Sequence, residues 1–94
     1  MTLDQLRRRI DRIDERLLRL LNQRAEYVLQ IGRIKKKHRL PVYDGRREEE
    51  LLRRLLRKNR GPLSSASVRW IFRQILQVSR QLQSPAVLSR KGRA

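Results

Sequence analysis

A chain of 94 residues with 25 Lys and Arg against 9 Asp and Glu carries a formal net charge of +16 and has room for one small domain. It has no cysteine and a single histidine, His38, which excludes disulfides, thiolate metal sites, a cysteine nucleophile and any histidine-rich metal cluster. Hydrophobic residues make up 38% and aromatics only 4%, so the core within reach is modest and aliphatic. The charge attracts anions in general, whether nucleic acid, acidic membrane surface or small polyanion, and does not choose among them. No stretch approaches the roughly 20 apolar residues of a membrane span. An amphipathic pattern begins almost at Met1 and leaves no place for a signal peptide, so the expected location is the cytoplasm.

Thr2 or Asp4 can cap a first helix that runs unbroken to about Lys37. Its apolar residues fall at Leu6, Ile10, Ile13, Leu17, Leu20, Leu21, Val28, Ile31 and Ile34, the period of a helix packed along its length. Arg24 and Lys35 interrupt this stripe. Eleven residues bring a helix back to within roughly 20° of its starting direction, so both cations face the side the helix buries. Cations there are costly unless something anionic meets them. A helix of about 35 residues is roughly 52 Å long, against a radius of gyration near 13 Å for a compact domain of this size. Such a helix projects beyond its own globule, and the simple remedy is a second copy of the chain: a homodimer with intertwined long helices.

The segment from His38 to Asp44 breaks the pattern, and Pro41 prevents its continuation. Asp44 is a suitable N-cap for a second helix, about Gly45 to Lys58, with Leu51, Leu52, Leu55 and Leu56 on its buried side. Gly61, in a left-handed cap, and Pro62 form its stop. Ser64 or Ser65 caps a third helix to about Gln83, with a stripe of Val68, Ile71, Phe72, Ile75 and Leu76. Ser79 and Gln83 then stand where the pattern calls for apolar residues, seven after Phe72 and seven after Leu76. The expected architecture is all-α, three helices per chain (long, short, medium), with a domain over residues 1–83. Residues 84–94 read as a basic, disordered tail.

The polar residues that break apolar stripes carry the functional signal. Arg24 and Lys35 from the first helix, Ser79 and Gln83 from the third, and Asp44, Arg47 and Glu48 at the start of the second make a pocket of cations, neutral donors and carboxylates. That set suits a small ligand with several anionic groups and a hydroxyl. It contains no serine–histidine pair, glycine-rich phosphate loop or metal cluster.

In this ordered set the sequence resembles the all-α, AroQ-class chorismate mutases, from about Leu3 to Gln83. The resemblance lies in Leu6-Arg7 with Ile10, Ile13, Asp14, Leu17, Leu18 and Leu21, and in Arg24 with Ile31-Gly32-Arg33-Ile34-Lys35. It continues through Pro41-Val42-Tyr43-Asp44 with Arg47-Glu48, and through Ile71-Phe72 with Ser79 and Gln83. It implies two intertwined three-helix chains with two equivalent active sites. The implied reaction is the pericyclic rearrangement of chorismate to prephenate, on the route to phenylalanine and tyrosine, without cofactor or metal. By position, Lys35 and Gln83 would hydrogen-bond the breaking ether oxygen. Arg24, with Arg7 of the partner subunit and help from Ser79, would bind the two carboxylates. Glu48 and the backbone near Asp44 would take the ring hydroxyl, and Arg47 would line the site and order the acidic side chains. A partner enzyme of the shikimate pathway also fits the resemblance. The rival readings are an isochorismate–pyruvate lyase on the same fold, a basic helical dimer that binds nucleic acid, and a purely structural coiled-coil dimer. Scarce aromatics and the absence of a DNA-binding motif weigh against the second.

Overall fold

The computed structural model describes residues 1–89. Its elements are α1 (Leu3–Lys37), α2 (Gly45–Lys58), α3 (Ser65–Leu82) and the short α4 (Pro85–Leu88). The described residues contain no strand, and none of their helices is long and apolar enough to cross a membrane. The all-α expectation and the order long, short, medium are met.

Each helix starts where a side chain satisfies its first free amides. The Thr2 hydroxyl accepts from the Gln5 amide at 3.1 Å, while the Gln5 side chain accepts from the Thr2 amide at 2.9 Å, a reciprocal capping box. Asp44 accepts from the Arg47 amide at 3.1 Å, and Ser64 from the Ser67 amide at 3.1 Å. Lys35, Lys36 and Lys37 close α1 against the negative end of its dipole.

The stops are less regular. After the cap residue His38, Arg39 adopts φ 55, and the Leu40 amide donates to the Lys35 carbonyl at 2.8 Å. This is a Schellman reversal with arginine in the left-handed position that glycine usually fills. At the end of α2 the expected left-handed Gly61 is not found. Asn59 leaves the helix in an extended conformation, accepts from the Gly61 amide at 3.2 Å and donates to the Leu63 carbonyl at 2.8 Å. The asparagine side chain makes the turn, so Gly61 has no need of positive φ.

The expected disordered tail is also corrected. Ser84 caps α4 and Pro85 occupies its first turn. Leu88 is buried, because α4 folds back on α1 and α3. Residues 90–94, the remainder of that expected tail, lie outside the described residues.

α3 is the hub of the packing, with α2 on one side and α1 and α4 on the other. Among the described residues the buried apolar side chains are few: Val28, Leu52, Val68, Leu76 and Leu88. The N-terminal half of α1 has no such cover. Leu6, Ile10, Ile13, Leu17, Leu20 and Leu21 are between 43% and 57% exposed. The chain is correspondingly elongated, 53 × 32 × 15 Å, with a radius of gyration of 16.4 Å. A compact domain of about this length has roughly 13 Å.

Arg39→Gly tests the account of the α1 stop. A left-handed non-glycine residue costs about 1–2 kcal/mol, offset by the extra freedom of glycine in the unfolded chain, about 0.5–1 kcal/mol. We expect a net gain of about 0.5–1 kcal/mol in chemical denaturation at fixed protein concentration. A loss would show that the arginine side chain, rather than its backbone, matters there.

Candidate active site

Helix phase brings the site together. On α1, Arg24, Val28, Ile31 and Lys35 follow one another at steps of three and four and face a cavity of about 310 Å³. From α3 and its C-cap the same cavity receives Leu76, Ser79, Arg80 and Gln83; from the N-cap and first turns of α2, Asp44, Arg47, Glu48 and Leu51. Its volume falls at the low end of pockets for small ligands. Seven of the eight residues singled out from sequence therefore line one cavity: Arg24, Lys35, Asp44, Arg47, Glu48, Ser79 and Gln83. Arg7 does not. It lies exposed on the N-terminal part of α1, 17 residues and roughly 25 Å along the helix from Arg24.

Arg24 is partly buried, and its guanidinium donates through Nη1 to the Ser79 hydroxyl. That hydroxyl donates onward to the Ile75 carbonyl at 2.8 Å. Burial lowers the pKa of Arg24 below the usual arginine value, and the nearby positive charge of Arg47 lowers it further. Lys35 reaches from the last turn of α1 to the Val42 carbonyl at 2.9 Å and pins the loop to the helix. Ser79 and Gln83 are buried, 7% and 8% exposed, at positions where the stripe called for apolar side chains.

The residue missed from sequence is Arg80. Its Nη1 donates to both oxygens of Glu48, at 2.6 Å each, and joins α3 to α2. Its guanidinium carbon also lies 5.6 Å from the centre of the Tyr43 ring, within cation–π range. Arg80 stands four residues after Leu76 and three before Gln83, so its position at the edge of the buried stripe was the available signal.

Four cations (Arg24, Lys35, Arg47, Arg80) and two carboxylates (Asp44, Glu48) face the cavity. The balance is two positive charges. The ion pairs among the described residues join Arg46 to Glu50, Arg69 to Glu49 and Arg80 to Glu48. None of them satisfies Arg24, Lys35 or Arg47. The arrangement can hold a small dianion by charge and by oriented donors.

The model of the family described as chorismate mutase type II matches residues 6–84. The chain belongs to that family. A bifunctional chorismate mutase/prephenate dehydratase of Aquifex aeolicus is 40% identical over 85 residues, covering 86% of this chain and 24% of the relative. The chain spans about a quarter of the length of the curated relatives it matches first. Among solved structures, chorismate mutase from Thermus thermophilus (form II) superposes with a TM-score of 0.85 at 38% identity. That match covers 86% of this chain and 92% of the other. Chorismate mutase from Helicobacter pylori, solved in complex with prephenate, superposes with a TM-score of 0.84 at 32% identity. It covers 95% of this chain and 97% of that one. The family match spans α2, α3 and nearly all of α1, and takes in all eight positions singled out above.

A partly buried cation without a carboxylate is a cost to the empty protein, reduced by the solvent that still reaches it. Arg24→Met should therefore leave the ligand-free chain at least as stable as wild type, read as an unchanged or slightly higher Tm at fixed protein concentration. A Tm lowered by several degrees would mean that the Arg24–Ser79 contact supports the fold more than burial of the charge opposes it.

Proposed function

We propose that this chain is a chorismate mutase, converting chorismate to prephenate on the route to phenylalanine and tyrosine. The observation that carries the reading is the surplus of two positive charges in a cavity lined by oriented donors, matched to a dicarboxylate. A pericyclic rearrangement needs no nucleophile and no proton transfer. The protein's part is to hold the dianion in its reactive conformation and to stabilise charge that develops on the breaking ether oxygen.

Arg24, oriented through Ser79, takes one carboxylate. Lys35 has three donors and uses one on the Val42 carbonyl, which leaves others for the ether oxygen. Gln83 offers its amide N–H to the same oxygen. Glu48, fixed by Arg80, accepts from the ring hydroxyl together with the backbone near Asp44, and Arg47 lines the opening. The second carboxylate goes to Arg7 of the partner subunit. The exposed apolar face of α1 supports a homodimer, since a second α1 packed there would cover Leu6 to Leu21. Relatives that combine chorismate mutase with prephenate dehydratase support a partner enzyme acting on the next step. Amino-acid biosynthesis is intracellular chemistry, and a cytoplasmic location follows from this reading.

Loss of chorismate absorbance with the product identified tests the reaction directly. Lys35→Ala should lower kcat by roughly 100-fold or more, the usual effect of removing a donor to a developing oxyanion. Inactive wild-type protein that is folded and dimeric would overturn the reading. A second measurement tests the shared site. Arg7→Ala and Lys35→Ala chains are each inactive as homodimers, but refolding them together should restore about a quarter of wild-type activity. Half of the dimers are then mixed, and each mixed dimer has one intact site. No recovery on mixing would show that Arg7 does not act across the interface.

A further inference from the structure

Gln83 is buried without being fixed by hydrogen bonds. Its Nε2 makes a long 3.4 Å contact with the Ser79 carbonyl one turn back, and its Oε1 is buried with no hydrogen-bond partner among the described residues. An amide with so few directional restraints must be oriented by packing. The packing comes from two places. The side-chain stem lies against Gly32 of α1: a Cβ at that position would stand 3.0 Å from Gln83 Cγ and 3.3 Å from its Cβ. Glycine is what lets the glutamine stem approach α1. The same added Cβ would stand 3.2 Å from Leu88 Cδ2, so Leu88 and the glutamine stem close on the same point.

Leu88 is held there by the turn that follows Gln83. The Ser84 hydroxyl accepts from the Val87 amide at 3.4 Å, and the Ser84 carbonyl accepts from the Leu88 amide at 3.0 Å. Pro85 fixes the backbone of the first turn. The result is a single helical turn that returns Leu88 to α1 and α3, 8% exposed. The family match stops at residue 84, so this turn lies beyond what the family model describes.

We propose that Leu88 and Gly32 are positioning residues, and that the Ser84–Leu88 turn clamps the Gln83 amide in its orientation toward the cavity. The inference rests on the proposed reaction, in which Gln83 donates to the ether oxygen. The clamp does for the amide what a hydrogen bond would otherwise do: it limits the rotamers of a side chain with three free torsions before substrate arrives.

The test compares wild type, Leu88→Ala, Leu88→Met, Gln83→Ala and the Leu88→Ala/Gln83→Ala double variant in the full chain. Leu88→Ala should lower kcat roughly tenfold with KM changed by less than about twofold, because misplacement is felt in the transition state. Leu88→Met should restore most of the loss by refilling the space. In the Gln83→Ala background the Leu88 change should cost nothing further. An unchanged kcat in Leu88→Ala, or losses that multiply in the double variant, would overturn the proposal. An independent reading is hydrogen exchange of the Gln83 side-chain amide by NMR, which needs no turnover. Exchange should be faster in Leu88→Ala than in wild type, and equal rates would overturn the clamp. Should wild type fail to convert chorismate, the reaction reading falls while this comparison still decides the clamp.

Discussion

The partial burial of Arg24 is the cost around which the site is arranged. A guanidinium on the inward face of α1 loses hydration, and Arg47 adds repulsion; both lower its pKa and raise the cost of the empty site. The Ser79 hydroxyl relieves part of that cost and accounts for a polar residue where Phe72 and the stripe called for an apolar one. Of the two carboxylates that line the cavity, Glu48 is engaged by Arg80 and Asp44 caps α2 through the Arg47 amide. Among the described residues, Arg24, Lys35 and Arg47 thus face the cavity without an acidic partner. A site arranged so is unfavourable until an anion enters, and under the proposed reaction the anion's binding energy goes into its orientation.

What could be read in the sequence was what a single helix determines. The starts of the helices rest on side chains next to the amides they cap, so Thr2, Asp44 and Ser64 were legible. Phase along a helix is also local, which is why Arg24 and Lys35 emerged on one side and why Ser79 and Gln83 stood out. The set of residues that meet in the cavity was legible from their breaks in the stripes and from the family resemblance, but the particular contacts between elements were not. The Arg80–Glu48 pair joins α3 to α2 across 32 residues of sequence. α4 is too short to show a period, and it is held by a contact at Gly32 that exists only after α1 and α3 have packed. Arg39 and Gly61 exchanged the roles that residue preference assigns them, because the backbone at a reversal follows from where the next segment must go.

The thin core and the long helix belong to the same argument. Only five apolar side chains are buried in the described chain, while six along the N-terminal half of α1 are about half exposed. A helix of 35 residues gains little from its own propensity and is stabilised mainly by what packs on its apolar face. Among the described residues, that face is buried at Val28 and Gly32, where α3 and α4 pack, and stays about half exposed from Leu6 to Leu21. The uncovered stretch is also the stretch that carries Arg7, too far along the helix to reach its own cavity. One surface therefore accounts for both deficits: apolar area without cover, and a cavity short of one of its expected cations. Under the dimer reading they are met together, since a two-fold axis that brings one α1 over the other applies equally to the stripe and to the arginine it carries. Assembly and completion of the site then draw on the same free energy. A change at Ile10 or Ile13, far from any reacting atom, would be felt at the site through the position of Arg7.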